Sequence, residues 1–176
     1  MFITWKYRAV TISTADLSER KLDLAILNKP LNGLPVGLEF LNLGEDIYHL
    51  AGSDNHPLAN QTEVSLSELA DERFIFHQTG QVAAELSLKA CREAGFEPNI
   101  VCRCGSPTTG LYMVQGGLGI ALLPSEEFKS RTLGGIVELK LKETIRKEVG
   151  VAWRKDTASP LVEATVRFAK EWVDYA

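Results

Sequence analysis

This chain of 176 residues is poor in the features that commit a protein to metal, membrane or nucleic acid. It has three cysteines, Cys91, Cys102 and Cys104, an odd count that makes no disulfide framework. On a strand Cys102 and Cys104 would share a face. With no Cys or His partner nearby they lack zinc-ligand spacing, so we expect reduced thiols, no metal and no cofactor. The three histidines, His49, His56 and His77, are too scattered in sequence to suggest a metal site. Positive charge is not in surplus either: 19 Lys and Arg stand against 23 Asp and Glu, a net charge of −4. Gripping a phosphate backbone takes clustered cations, and Lys140-Leu-Lys142 and Arg146-Lys147 read as solvated edges. No apolar stretch approaches the roughly 20 residues that span a bilayer. The opening MFITWKYRAV has no signal-peptide core. A cytoplasmic protein without membrane contact is expected.

What is present is an alternation of helical and strand patterns, the mark of an α/β fold with mainly parallel pairing. Tyr7–Ser13 alternates as a strand, Asp16–Lys21 reads as a helical turn, and Leu22–Leu27 as an apolar strand. Leu38–Leu43 and Asp46–Ala51 read as two strands separated by Gly44. A polar loop follows, then a capping box at Ser65-Leu-Ser-Glu68. Arg73–His77 and Ile100–Cys104 read as strands, each leading into a helix. The first of these helices is capped by Thr79, runs from about 81 to 94 and stops at Gly95. The second opens at Ser106-Pro107 and stops at Gly116-Gly117. Ile120–Leu123 is apolar on both faces. Ser125 caps a short acidic helix, Ile136–Leu141 and Glu148–Trp153 are strands, and Ser159-Pro160 opens the last helix. Its stripe of Leu161, Thr165, Phe168, Trp172 and Tyr175 is expected to pack in the core or against another subunit.

Seven segments stand in register: LDLAIL at 22–27, LEFLNLGEDIYHLAG at 38–52, HPLA at 56–59, SLSELADERFIF from 65, ACREAGFEPNIV from 90, GLGIALLP from 117 and VAWRKD at 151–156. Together they resemble the effector-binding domain of LysR-type bacterial transcriptional regulators. The resemblance implies a type-2 periplasmic-binding-protein-like fold, two Rossmann-like lobes joined by two crossover strands, with a small-molecule effector in the cleft. Carried onto this chain, lobe I is 1–57 plus 142–176 and lobe II is 58–141, with crossovers near Ser53–Leu58 and Leu139–Lys142. The family opens with a further strand and helix before Tyr7, so lobe I is expected to lack its beginning. The winged-helix domain that would contact DNA is expected to be absent.

Candidate site residues follow from strand ends. Parallel α/β sheets bind ligands where strands end and helices begin, and a helix N-terminus favours anions. Gln78, Thr79, Gly80 and Gln81 follow one strand, and Ser106 and Thr108 follow the next. Asn28 follows strand 22–27 and is expected to face them. The simpler reading of Thr79 or Ser106 alone is a helix cap, and the two roles are compatible. A lone His77 reads first as structural. No catalytic residues are expected, since no acid–base constellation is closely spaced. The reading is an effector-sensing domain binding a small, anionic metabolite and forming a homodimer or higher oligomer. The alternatives are a stand-alone solute-binding module and an enzyme on the same fold.

Overall fold

The computed structural model of the protein describes residues 10–129 and 134–175. The chain divides into two compact units. One is discontinuous, built from 1–45 and 148–176; the other is continuous, 46–147. The boundaries therefore fall about a dozen residues before 57 and a few residues after 141, inside two long strands rather than in the loops beyond them.

The discontinuous unit begins with helix α1, Val10–Ser18. The expected strand over Tyr7–Ser13 and separate turn over Asp16–Lys21 are corrected here. Residues 7–9 lie outside the described ones, and 10–13 are helical. β-branched Val10, Thr11 and Ile12 disfavour a helix by only a few tenths of a kcal/mol each, a penalty that packing readily exceeds. The fully buried Leu17 packs with Ala25, Leu27 and Ala152 in this unit's core. The turn after the helix contains Arg20, whose φ of 62° is left-handed. Arg154 clamps that turn: its Nη1 donates to the carbonyls of Leu17 (2.9 Å) and Leu22 (2.6 Å). Strand β1, Leu24–Asn28, then pairs antiparallel with the far strand of the chain, from Leu24 opposite Trp153 to Asn28 opposite Val149.

Strand β2 runs unbroken from Leu38 to Ser53, where two strands around Gly44 were expected. Gly44 keeps a negative-side backbone and its N–H bonds the Asn42 side chain at 2.9 Å, so it continues the strand instead of turning it. The chain passes from one unit to the other within β2, between 45 and 46.

The continuous unit is a sheet with helices on both faces. After strand β3, Glu63–Val64, a 3₁₀ turn at Leu66–Leu69 occupies the capping-box segment. Glu68 reaches back to the Ser65 N–H at 2.9 Å. The Ser65 hydroxyl, however, donates to Glu143 at 2.6 Å, and Glu143 accepts the Leu66 N–H at 3.0 Å. A distant carboxylate thus does part of the capping. Strand β4, Arg73–His77, leads into helix α2, Val82–Glu93. Strand β5, Asn99–Cys104, leads into α3, Pro107–Gln115, and β6, Ala121–Pro124, into the short α4, Glu126–Lys129. Strand β7 is Ile136–Leu141; β8, Arg146–Arg154, returns the chain to the first unit between 147 and 148, where α5, Pro160–Tyr175, completes it.

Pairing is mixed rather than mainly parallel. β4 and β5 are parallel, as are β3 and β7, and a parallel bridge joins Phe74 to Ile120. β2 runs antiparallel to both β6 and β7. The reason is connectivity: β2 and β8 cross between the units and enter the sheet against the βα strands. Two apolar clusters cover the sheet. One joins Phe74, Phe76, Ile120 and Leu122 to α2 through Ala83 and Cys91. The other joins Ile75, Ala121 and Leu123 to α3 through Leu111 and Val114. GLGIALLP contributes the close approach that makes this possible. Gly119 lies against the Arg73 backbone where any Cβ would collide with its carbonyl, and Ile120 exchanges 2.8 Å hydrogen bonds with Arg73 and Ile75.

Candidate functional site

The parallel strands β4 and β5 end level with each other, His77 opposite Cys104. The two loops that follow are tied together. The Gln78 N–H donates to the Cys104 carbonyl at 3.0 Å, and Gln81 Nε2 donates to the Gly105 carbonyl at 3.4 Å. Arg103 Nη1 donates to the His77 carbonyl at 2.9 Å. Gly80, at φ 85°, supplies the left-handed turn before α2, a conformation that costs a side-chain-bearing residue roughly 1 kcal/mol or more.

The candidate residues are distributed unevenly in this frame. Gln78, Gln81 and Gly80 form the first loop and Ser106 the second. Ser106 caps α3, its Oγ accepting the Thr109 N–H at 3.2 Å and lying 3.0 Å from the Thr109 hydroxyl. Thr79 does not cap α2, as was expected; Gln81 holds the cap position, without a side-chain bond to the helix. Thr79 is exposed and Thr108 half-buried in the first turn of α3. Asn28 ends β1 in the discontinuous unit.

Beside these loops are polar groups to which the sequence reading gave no functional role: it took His77 as structural and did not single out Tyr48. Two buried side-chain atoms without a hydrogen-bond partner belong to this sheet end: His77 Nε2 and Tyr48 Oη. His77 is 5% exposed and Tyr48 1%. Phe74 bridges Ile120 in parallel, which puts His77 level with Leu123, and Tyr48 pairs with Pro124 on the next strand. One strand lies between the two residues, and alternation puts His77 on the α3-side face with Ile75 and Leu123 and Tyr48 on the α2-side face with Phe74 and Phe76. Between the middle of β2 and the start of β8, Lys147 Nζ pairs with Asp46 at 2.9 Å and lies 5.6 Å from the centre of the Tyr48 ring. Its side chain is 10% exposed. Burial and then the Lys147 charge push His77 down to about 4, so its imidazole is neutral at neutral pH. Burial and the Asp46 carboxylate push the Tyr48 phenol well up, keeping its proton. The signal available in the sequence was faint: a Tyr, an Asp and a Lys within the crossover strands, each unremarkable alone.

Nucleophilic chemistry finds little support here. Burial holds the Cys91 thiol up at about 12 and raises Cys104 as well. Cys102 Sγ lies 3.7 Å from Met113 Sδ. Among the described residues no group of three His, Cys, Asp or Glu could hold a metal ion, and no helix is long and apolar enough to cross a membrane.

Comparison with known proteins places this geometry. A family model described as the LysR substrate binding domain matches residues 10–174. The transcriptional dual regulator GltC of Bacillus subtilis is 29% identical over 164 residues, covering 89% of this chain and 54% of that regulator. The regulator XapR of Escherichia coli is 24% identical, covering 90% of this chain and 53% of its own length. The chain thus spans about half the length of these curated relatives. Among solved structures, the effector-binding domain of QuiR in complex with shikimate superposes with a TM-score of 0.83 at 24% identity, covering 96% of this chain and 79% of that one. The CcmR regulatory domain of Synechocystis in complex with 2-PG has a TM-score of 0.78 at 18% identity, with 90% and 76% covered.

Proposed function

The chain belongs to the LysR substrate-binding domain family, and from that premise we propose that it is the effector-sensing part of a LysR-type transcriptional regulator. It binds a small anionic metabolite at the loops after β4 and β5 and performs no catalysis. DNA contact would come from a winged-helix domain elsewhere in the full protein, and the working compartment is the cytoplasm. The observation that carries the reading is the pair of hydrogen-bonded strand-end loops, Gln78–Gln81 and Gly105–Ser106, each delivering a helix N-terminus to one place. Such ends offer free N–H groups and a partial positive charge of about +0.5, which suits an anion. The relatives being regulators favours this reading over a solute-binding module or an enzyme.

A panel of small carboxylates and phosphates, with shikimate and 2-PG included because structural neighbours hold them, tests the proposal by calorimetric titration. At least one member is expected to bind, and Thr79→Ala with Ser106→Ala is expected to weaken it at least tenfold. The stability cost should come from Ser106 alone, about 1 kcal/mol for a lost cap. An unchanged titration in the double variant would sink the site assignment.

A further inference from the structure

We propose that the discontinuous unit holds a second ligand site, for a phosphate monoester, built on Arg20, Arg154 and Lys155 and independent of the strand-end loops. These three side chains line a cavity of about 520 Å³ together with Asp156, Val36 and Leu38. Small-molecule sites run from roughly 300 to 1,000 Å³. All six residues belong to the one unit. The two guanidinium groups converge on a single carboxylate: Arg20 Nη2 bonds Asp156 Oδ2, and Arg154 Nε stands 3.7 Å from Asp156 Oδ1. The Arg154 side chain is 10% exposed. Its Nη1 is occupied by the carbonyls of Leu17 and Leu22, but its Nε is buried with no hydrogen-bond partner among the described residues. A buried charged donor left unbonded is costly, and this one stands beside a cavity.

The chemistry selects a phosphate. A carboxylate has two oxygens, and those of Asp156 already face the two arginines. A phosphate monoester has three terminal oxygens, one for each cation, and carries about −1.5 to −2 at neutral pH. Arginine forks and a lysine point charge are the usual partners of such a group. The lining bears three positive charges against the single carboxylate of Asp156. Asp23, 3.6 Å from Arg154, offsets one more, and an anion neutralises the remainder. Asp156 is 60% exposed, so its side chain is free to swing aside for a ligand. Val36 and Leu38 offer an apolar wall to the organic part of the ester, and Val36 is fully exposed. The Lys155 N–H donates to the Gly37 carbonyl at 2.9 Å, which fixes that wall beside the cations. Arg20 is also the one side-chain-bearing residue with a positive φ among the described residues. Glycine would take that conformation without strain, and strained residues of other types gather at ligand sites.

The test titrates the whole ¹⁵N-labelled chain with phenyl phosphate, inorganic phosphate and benzoate and follows the backbone amides. Phenyl phosphate is expected to move the Gly37 and Lys155 amides, with an affinity at least fivefold above that of either other probe. Arg20→Gly relieves the backbone while removing the charge; it should weaken phenyl phosphate at least tenfold in a chain whose amide spectrum stays folded. Lys155→Gln should weaken phenyl phosphate more than benzoate. Asp156→Asn, which removes the competing carboxylate, should tighten phenyl phosphate at least threefold. The Thr79→Ala, Ser106→Ala variant should give the parent response at Gly37 and Lys155, so this site and the strand-end site stand or fall separately. Silence at Gly37 and Lys155, benzoate or inorganic phosphate bound as well as phenyl phosphate, or unchanged affinity in Arg20→Gly would each overturn the proposal. So would weaker binding in Asp156→Asn, or loss of the response in the Thr79→Ala, Ser106→Ala variant.

Discussion

His77 carries a consequence for stability. Its imidazole is held down to about 4, from an ordinary 6.5, chiefly by burial. Above pH 6.5 it is neutral in folded and unfolded chains alike and contributes nothing to the pH dependence. Between pH 6.5 and 4 the unfolded chain binds a proton that the folded one refuses, so stability falls as the solution is acidified. At pH 5 the loss amounts to about 2 kcal/mol by linkage. Urea unfolding at pH 7 and pH 5 should therefore show a larger acid loss in the parent than in His77→Phe. Parallel losses would mean that the ring is protonated in the fold. The same residue illustrates the limit of reading single positions. Ser106 before Pro107 was legible as a cap because capping is local chemistry between a hydroxyl and an N–H three residues on. Thr79 looked equivalent, but the α2 cap falls two residues later at Gln81, because Gly80 spends a left-handed residue first.

At the scale of elements, α5 inverts the expected packing. The stripe of Leu161, Thr165, Phe168 and Trp172 does not enter the core: Phe168 is 69% exposed and Trp172 53%. Tyr175's side chain lies outside the described ones. The buried stripe is Val162, Val166 and Ala169, one residue round the helix. Both rows are apolar at helical spacing, so periodicity could not choose between them. The smaller row wins because compact side chains let the helix approach closely. Val162→Ala should then cost about 2 kcal/mol in chemical unfolding, in line with loss of buried methyls. Trp172→Ala should stay within about 0.5 kcal/mol, as exposed substitutions do. The reverse ranking would show the helix rotated. The exposed row leaves open the second half of the sequence expectation, a contact with another subunit.

For the whole molecule, the expected assembly is a homodimer, since closed twofold pairs dominate soluble oligomers and an unpaired strand edge invites a partner. Among the described residues β1 is hydrogen-bonded along one edge only, to β8. Sedimentation equilibrium at micromolar concentration should return twice the monomer mass; a strictly monomeric species would count against the dimer. The surface expected for it needs revision in any case, because its strand over 7–13 is helical from residue 10.

Sequence alone determined the α/β class, the family and most βα boundaries in the continuous unit, from Arg73–His77 through Ile136–Leu141. These depend on local signals: apolar runs of strand length, glycine stops, a Ser-Pro start. Tertiary structure alone decided three other things. It made β2 one strand and placed the unit boundaries inside β2 and β8, because pairing with β6 and β7 outweighs the break suggested by Gly44. It turned residues 10–13 to helix, because burying Leu17 and tethering its carbonyl to Arg154 outweighs a weak strand preference. And it gathered Asp46, Tyr48 and Lys147 in one cluster. Residues up to about a hundred apart in sequence meet there only because strands pair, and no local pattern encodes which strand end lies beside which.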